Sequence, residues 1–152
     1  MEKILFDTNI LIHLVRGNDI AKKIKTLIDS LSDPQLFISV VSLGEVESLV
    51  VQWDWPTPKV VKLKELIRKF ICIDIEHNNE LQIQNYVSIA AFSQGKKAAP
   101  GGSLLKSSSR NMGKNDLWIA ATAFALEATL YTMDNDFDHL HEVFFMIEKF
   151  KR

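Results

Sequence analysis

Cysteine, proline, glycine and net charge are all scarce in this chain: one Cys, four Pro and six Gly among 152 residues, with a formal net charge of −1. A single cysteine excludes an intramolecular disulfide framework. Cys72 sits inside the apolar run Phe70-Ile71-Cys72-Ile73 and is expected to be a buried structural thiol. The near-zero charge gives no global field that would announce a nucleic-acid partner. No apolar run approaches the roughly 20 residues of a membrane span, and the first residues read as a strand rather than as a basic-then-apolar leader. The expectation is a soluble cytoplasmic protein with no membrane partner. Several chemical signatures are missing as well. There is no Cys/His set at zinc spacing, no Gly-x-x-x-x-Gly-Lys-Ser/Thr phosphate loop, no Gly-x-Ser-x-Gly elbow and no internal repeat.

What is present is a chain that is 47% hydrophobic, long enough for one domain with a proper core over residues 1–152. Ile4, Leu5 and Phe6 form a short apolar run that ends in Asp7-Thr8-Asn9. Such a run reads as a buried strand, and in parallel α/β sheets the end of a strand is where ligands bind. Asp7, Thr8 or Asn9 can equally well cap the helix that follows. That helix carries Ile10, Leu11, Leu14 and Val15 at helical spacing and stops at Gly17, with His13 off the apolar stripe and expected in solvent. Asp19 to Leu31 is a second, amphipathic helix, ended by Asp33-Pro34.

Leu36 to Val41 reads as a second strand. Ser42 followed by Glu45 is then a capping box opening the next helix, although Glu45 in a first turn would also face the same sheet edge as Asp7. Glu47 is expected in solvent. Trp53-Asp54-Trp55-Pro56 marks a hinge between two helices or an apolar patch for a partner. Pro58 to Lys69 is a helix, Phe70 to Ile75 a third strand with a structural Asp74 near its end, and Glu76 to Phe92 a longer helix.

Ser93 to Asn115 differs in composition. It holds Lys96, Lys97, Lys106, Arg110 and Lys114 and no acid, so the remainder of the chain has 13 basic against 19 acidic residues, a balance of −6. Structureless loops this long are commonly functional or disordered. Asn115 can cap the helix that follows, placing Asp116 in its first turn, where the dipole favours the ionised form. Ala128 to Thr132 reads as a fourth strand running into Asp134, Asp136 and Asp138, and Phe144 to Ile147 as a short last strand. This alternation predicts a three-layer α/β/α sandwich around a central, mainly parallel sheet of four to five strands. In that topology Asp7, Glu45, Asp116 and Asp134 share one edge. Crowded carboxylates repel one another, and a hard divalent cation such as Mg²⁺ or Mn²⁺ resolves the conflict. The chemistry this points to is metal-assisted hydrolysis of a phosphodiester.

Four pieces, taken in order, resemble the PIN-domain family and within it the VapC toxins of type II toxin–antitoxin pairs. They are the strand ending in Asp7-Thr8-Asn9, Ser42-Leu43-Gly44-Glu45, Asn115-Asp116-Leu117-Trp118-Ile119-Ala120-Ala121-Thr122-Ala123, and Thr132-Met133-Asp134-Asn135-Asp136-Phe137. The resemblance implies a Mg²⁺- or Mn²⁺-dependent endoribonuclease, often homodimeric and silenced by a small antitoxin protein. It carries metal and catalytic roles onto Asp7, Glu45, Asp116 and Asp134, with Asp136, Asn9 and Thr132 as further candidates. The basic segment departs from the family pattern and supplies candidate RNA contacts in Lys96, Lys97, Lys106, Arg110 and Lys114. Rival acidic-pocket folds fit less well. A phosphorelay receiver wants a pair of acids after strand one, and a haloacid-dehalogenase phosphatase wants Asp-x-Asp where this chain has Asn9. The remaining alternative is a PIN scaffold that binds RNA or protein without cutting.

Overall fold

The computed structural model describes residues 1–152. Five strands, β1 (Lys3–Phe6), β2 (Gln35–Ser39), β3 (Ile71–Ile73), β4 (Thr129–Thr132) and β5 (Ile147–Lys149), form one sheet in the order β3-β2-β1-β4-β5. Every pairing is parallel. The apolar run Ile4-Leu5-Phe6 is fully buried because β1 lies at the centre of the sheet, covered on both faces. Phe6 stacks on Tyr131 and meets Phe70 edge-on.

Six helices connect the strands: α1 (Thr8–Arg16), α2 (Asp19–Asp29), α3 (Val40–Gln52), α4 (Thr57–Ile67), α5 (Glu80–Ser93) and α6 (Lys114–Leu126), with a short 3₁₀ turn over Asn135–Leu140. One core lies under α1 to α4 and holds Ile10, Leu14, Ile24, Val46 and Leu63. The other lies under α5 and α6 and holds Ile89, Phe92, Ile119, Ala120 and Phe137. The small residues Ala120, Ala121 and Ala123 are completely buried, which lets α6 pack close to its neighbours. The layered parallel architecture expected from the sequence is therefore the one observed, with five strands and no antiparallel pair.

Several local expectations are corrected. The helix after β2 begins three residues early, because the Ser39 hydroxyl, not that of Ser42, accepts the Val41 N–H. Ser42 is buried inside α3 and its hydroxyl has no partner. Glu45 consequently lies in the second turn rather than the first. The cap of α6 is Gly113, not Asn115, and Asp116 is still in the first turn. The third and fifth strands are shorter or later than their apolar runs suggest, β3 spanning three residues and β5 starting at Ile147. Likewise α5 starts at Glu80, capped by Asn79.

His13 is buried, not solvent-facing: α2, α3 and α4 all pack around α1, and its Nδ1 meets Asn18 at 2.7 Å. Cys72 is exposed, because β3 is an edge strand of the sheet. Gly17 ends α1 in the left-handed conformation at φ 64°, which a glycine adopts without strain. Trp53 and Trp55 do lie at a break between α3 and α4. Trp53 is half exposed, while Trp55 packs on the core with Lys59 over its ring.

The segment between α5 and α6 has no regular structure, yet it is fastened to the body. Ala99 is buried, Leu105 and Met112 pack on the core, and the Arg110 N–H donates to the Ser93 carbonyl at 2.7 Å. A turn closed by Gly102 N–H to the Ala99 carbonyl, with φ 92° at Gly102, reverses the chain.

Candidate metal centre

Strand order decides where the acids meet. β1 leads to β2 on one side and is flanked by β4 on the other, so the crevice beyond the ends of β1 and β4 is the topological switch point of the sheet. Asp7 follows β1 and Asp134 follows β4. Asp116 reaches the same edge from the first turn of α6, and Glu45 from α3.

Asp7 is the most enclosed of the four. Its Oδ1 accepts the Thr8 N–H at 2.8 Å, so it also caps α1. Its Oδ2 accepts the Thr132 hydroxyl at 2.7 Å. The same Thr132 oxygen accepts the Asp134 N–H at 3.0 Å. One fully buried hydroxyl thus ties the ends of β1 and β4 together. Asp134 Oδ1 in turn accepts the Asp136 N–H at 2.9 Å, which caps the 3₁₀ turn. Asp116, Asp134 and Asp136 each offer a carboxylate oxygen within 4.8 Å of the others. Thr8 donates its hydroxyl to Glu45 Oε1 at 2.9 Å and fixes that side chain across the α1–α3 contact.

Burial and like charge act in the same direction here. Desolvation raises the Asp7 carboxyl to about 6 against its hydrogen bonds to Thr132 and Thr8, helped by the charges of Asp134 and Glu45. Asp116 is raised to about 7, first by desolvation and then by Asp7, Asp134, Asp136 and Glu45. The helix dipole, expected to keep Asp116 ionised, is outweighed by these four neighbouring acids and by burial. A divalent cation removes the repulsion, and an all-oxygen donor set suits Mg²⁺ or Mn²⁺. The residues present fit such an ion: Asp116, Asp134 and Asp136 by mutual distance, Asp7 and Glu45 by their place around the same crevice.

Of the other candidates, Asn9 is exposed. Asp138 is engaged elsewhere, paired with Lys149 at 2.8 Å, and Lys149 also donates to Asn135. The Asp-Thr pair shows Thr8 only as a capping candidate, and its partner Glu45 is 37 residues away. Of the basic residues, Arg110 reaches the acidic edge, its Nη1 donating to the Asn135 carbonyl at 3.2 Å, and Lys114 opens α6 two residues before Asp116. Lys106 lines a cleft with His139 and His141, and Lys96 and Lys97 line an adjoining one that shares Leu104, Leu105 and Ser107 with it.

The raised carboxyls carry a sign that can be checked. Each has a folded value above its unfolded value near 4, so its contribution to stability is present below about pH 4 and is lost as pH rises through 6 to 7. Metal-free protein should therefore lose thermal stability between pH 5 and pH 8. The loss should be smaller in Asp116→Asn, and millimolar Mn²⁺ at pH 8 should restore the wild-type melting temperature. A melting temperature that neither falls with pH nor responds to Mn²⁺ contradicts this picture of the cluster.

Comparison with known proteins agrees with the geometry. No curated protein matches the sequence closely. Solved structures do match in fold. VapBC2 from Rickettsia felis, bound to a DNA fragment from its promoter, superposes with a TM-score of 0.70 at 20% identity over 98% of this chain and 99% of that one. VapBC-1 from nontypeable Haemophilus influenzae gives 0.66 at 21% identity over 97% of each chain. FitAcB from Neisseria gonorrhoeae gives 0.69 at 18% identity over 95% of each chain. The PIN-domain family model matches residues 4–143, from the first buried residue of β1 to just past the 3₁₀ turn, and the chain belongs to the PIN-domain family.

Proposed function

We propose that this protein is a toxin-like endoribonuclease that hydrolyses RNA phosphodiester bonds with a Mg²⁺ or Mn²⁺ ion held by Asp7, Asp116 and Asp134, with Asp136 beside them. The observation that carries the reading is the convergence of carboxylates from four separate elements on the switch-point crevice, two of them raised to about 6 and 7. Such an arrangement is costly without a cation and is suited to one bound with a phosphate. When bound, the ion supplies charge compensation at the scissile phosphate and a more acidic water. The protein's own groups supply placement. Thr132 fixes Asp7 and the start of the Asp134 turn together, and Thr8 holds Glu45 toward the crevice, where a carboxylate can orient water. Arg110, beside Asn135, and Lys114 stand where an incoming phosphate backbone needs local positive charge on a chain of net charge −1.

Asp116→Asn should keep the fold, since it relieves repulsion, and should lower cleavage of total RNA in Mn²⁺ by about a hundredfold or more. Wild-type cutting by this variant removes the assignment. RNA binding retained by a wild-type protein that never cuts would instead favour the non-catalytic scaffold. Replacing Lys106, Arg110 and Lys114 together with Ala should weaken RNA binding and reduce its salt dependence, by a log–log slope of up to about 0.7 per lost single-strand phosphate contact. An unchanged slope would leave the segment without an RNA role.

A partner surface is the second part of the reading. Val51 is 78% exposed, Trp53 48% and Val61 47%, all on or beside the α3–α4 break. These side chains form the patch on which a second copy or a small antitoxin seats. Two structures that share the fold are a toxin–antitoxin complex from Klebsiella pneumoniae and VapBC-5, of the VapBC family of toxin–antitoxin systems, from Mycobacterium tuberculosis. Light scattering should show a homodimer that Trp53→Asp converts to monomer. A wild-type protein that is already monomeric removes the patch from consideration as the dimer contact.

A further inference from the structure

A cavity of about 600 Å³ opens at the far end of α1, lined by His13, Arg16, Asn18, Lys23, Lys151 and Arg152, with Asp19 and Ile20 completing it. Four of these side chains are cations and one is an acid. None of the four has a carboxylate within ion-pairing distance, since the ion pairs of the molecule are Lys22–Asp19, His141–Glu142 and Lys149–Asp138. On a chain of net charge −1 this is a local concentration of unpaired positive charge. It is also partly built. His13 forms a buried wall and is held by Asn18 at 2.7 Å. Asn18 caps α2, whose positive end therefore faces the cavity. Arg16 rests over the Trp53 ring at 5.7 Å, which limits where its guanidinium can go. Burial lowers His13 first, and the charges that act on it, Arg152 and Arg16, are both positive and lower it further.

We propose that this cavity is a second phosphate-binding subsite, which grips the backbone of the RNA strand whose scissile bond lies in the acidic crevice. The choice of RNA rests on the nuclease reading above. Geometry ties the two places together. Asp7 caps the first turn of α1 and Arg16 ends its last, so the subsite lies about 13 Å from the crevice along a rigid nine-residue helix. The lining argues for phosphates over an acidic protein partner. It contains one hydrophobic residue, the buried Ile20, and offers none of the apolar or aromatic anchors on which protein partners depend. Guanidinium forks on Arg16 and Arg152 match the paired oxygens of a phosphodiester. Contacts of this kind position a strand without reading its bases.

The test is fluorescence anisotropy of a labelled single-stranded RNA on full-length protein in EDTA, so that nothing is cut. Two pair variants, Arg16→Gln with Lys23→Ala and Lys151→Ala with Arg152→Ala, alter exposed side chains, and unchanged melting curves serve as the folding control. Each pair should weaken binding and lower the log–log salt slope by up to about 1.4, at about 0.7 per lost contact. Loss of binding in a variant, with no cleavage of total RNA by wild-type protein in a separate Mn²⁺ assay, would retire the nuclease reading and leave the subsite standing. Unchanged affinity and slope in both pairs overturns the proposal. So does a result in which the pairs retain RNA but lose binding of a polyglutamate peptide, which makes the cavity a protein-docking site. Inorganic phosphate that shifts the His13 imidazole resonance while RNA affinity stays independent of both pairs overturns it too, in favour of a free-anion site.

Discussion

The crowding of carboxylates at the end of a buried parallel sheet is the constraint on which the rest depends. Asp7 cannot move away from its neighbours, because Thr132 and the Thr8 N–H hold both of its oxygens and β1 beneath it is wholly enclosed. The fold therefore keeps negative charges together that would separate if free. The cost shows as two carboxyls raised to about 6 and about 7. A divalent cation bound among these carboxylates would offset that cost.

Much of this was legible in the residues. An apolar run that stops at an acid is visible because a central strand buried on both faces has no room for polar alternation, and β1 and β4 both show it. The alternation of strand-like and helix-like segments specified the parallel sheet, since parallel neighbours need crossovers. What stayed hidden depends on neighbours distant in sequence. The role of Thr132 comes from an acceptor 125 residues away. His13 looked solvent-facing because periodicity reports one stripe, whereas α2 and the two helices of the β2–β3 connection close over α1. Cys72 looked buried because an apolar run does not reveal that its strand lies at the edge. The misplaced cap of α3 has a local cause: Val40 and Val41 favour strand by composition, and the Ser39 hydroxyl nevertheless starts the helix there.

Charge is divided by place in the molecule. Asp7, Glu45, Asp116 and Asp134 meet at the crevice and are partly enclosed. The cations are dispersed, in the segment before α6 and around the end of α1, and few are paired with carboxylates. A near-neutral total thus conceals a surface with opposed local fields, which is the pattern a nuclease needs if its metal site is not to repel its own substrate. The segment from 94 to 113 bears on this in a second way. Its fastening to Ser93 and to the Asn135 carbonyl links the start of α6 to the turn that carries Asp134 and Asp136, so the basic and acidic parts are held in one frame.

The most direct test of the central claim is to locate the ion. Crystals grown with Mn²⁺ and measured at its absorption edge should show an anomalous peak at the switch-point crevice, within about 2.0–2.3 Å of carboxylate oxygens from at least two of Asp7, Asp116 and Asp134. A fully occupied Mn²⁺ elsewhere on the chain, with the crevice empty and its carboxylates unmoved, would contradict the account.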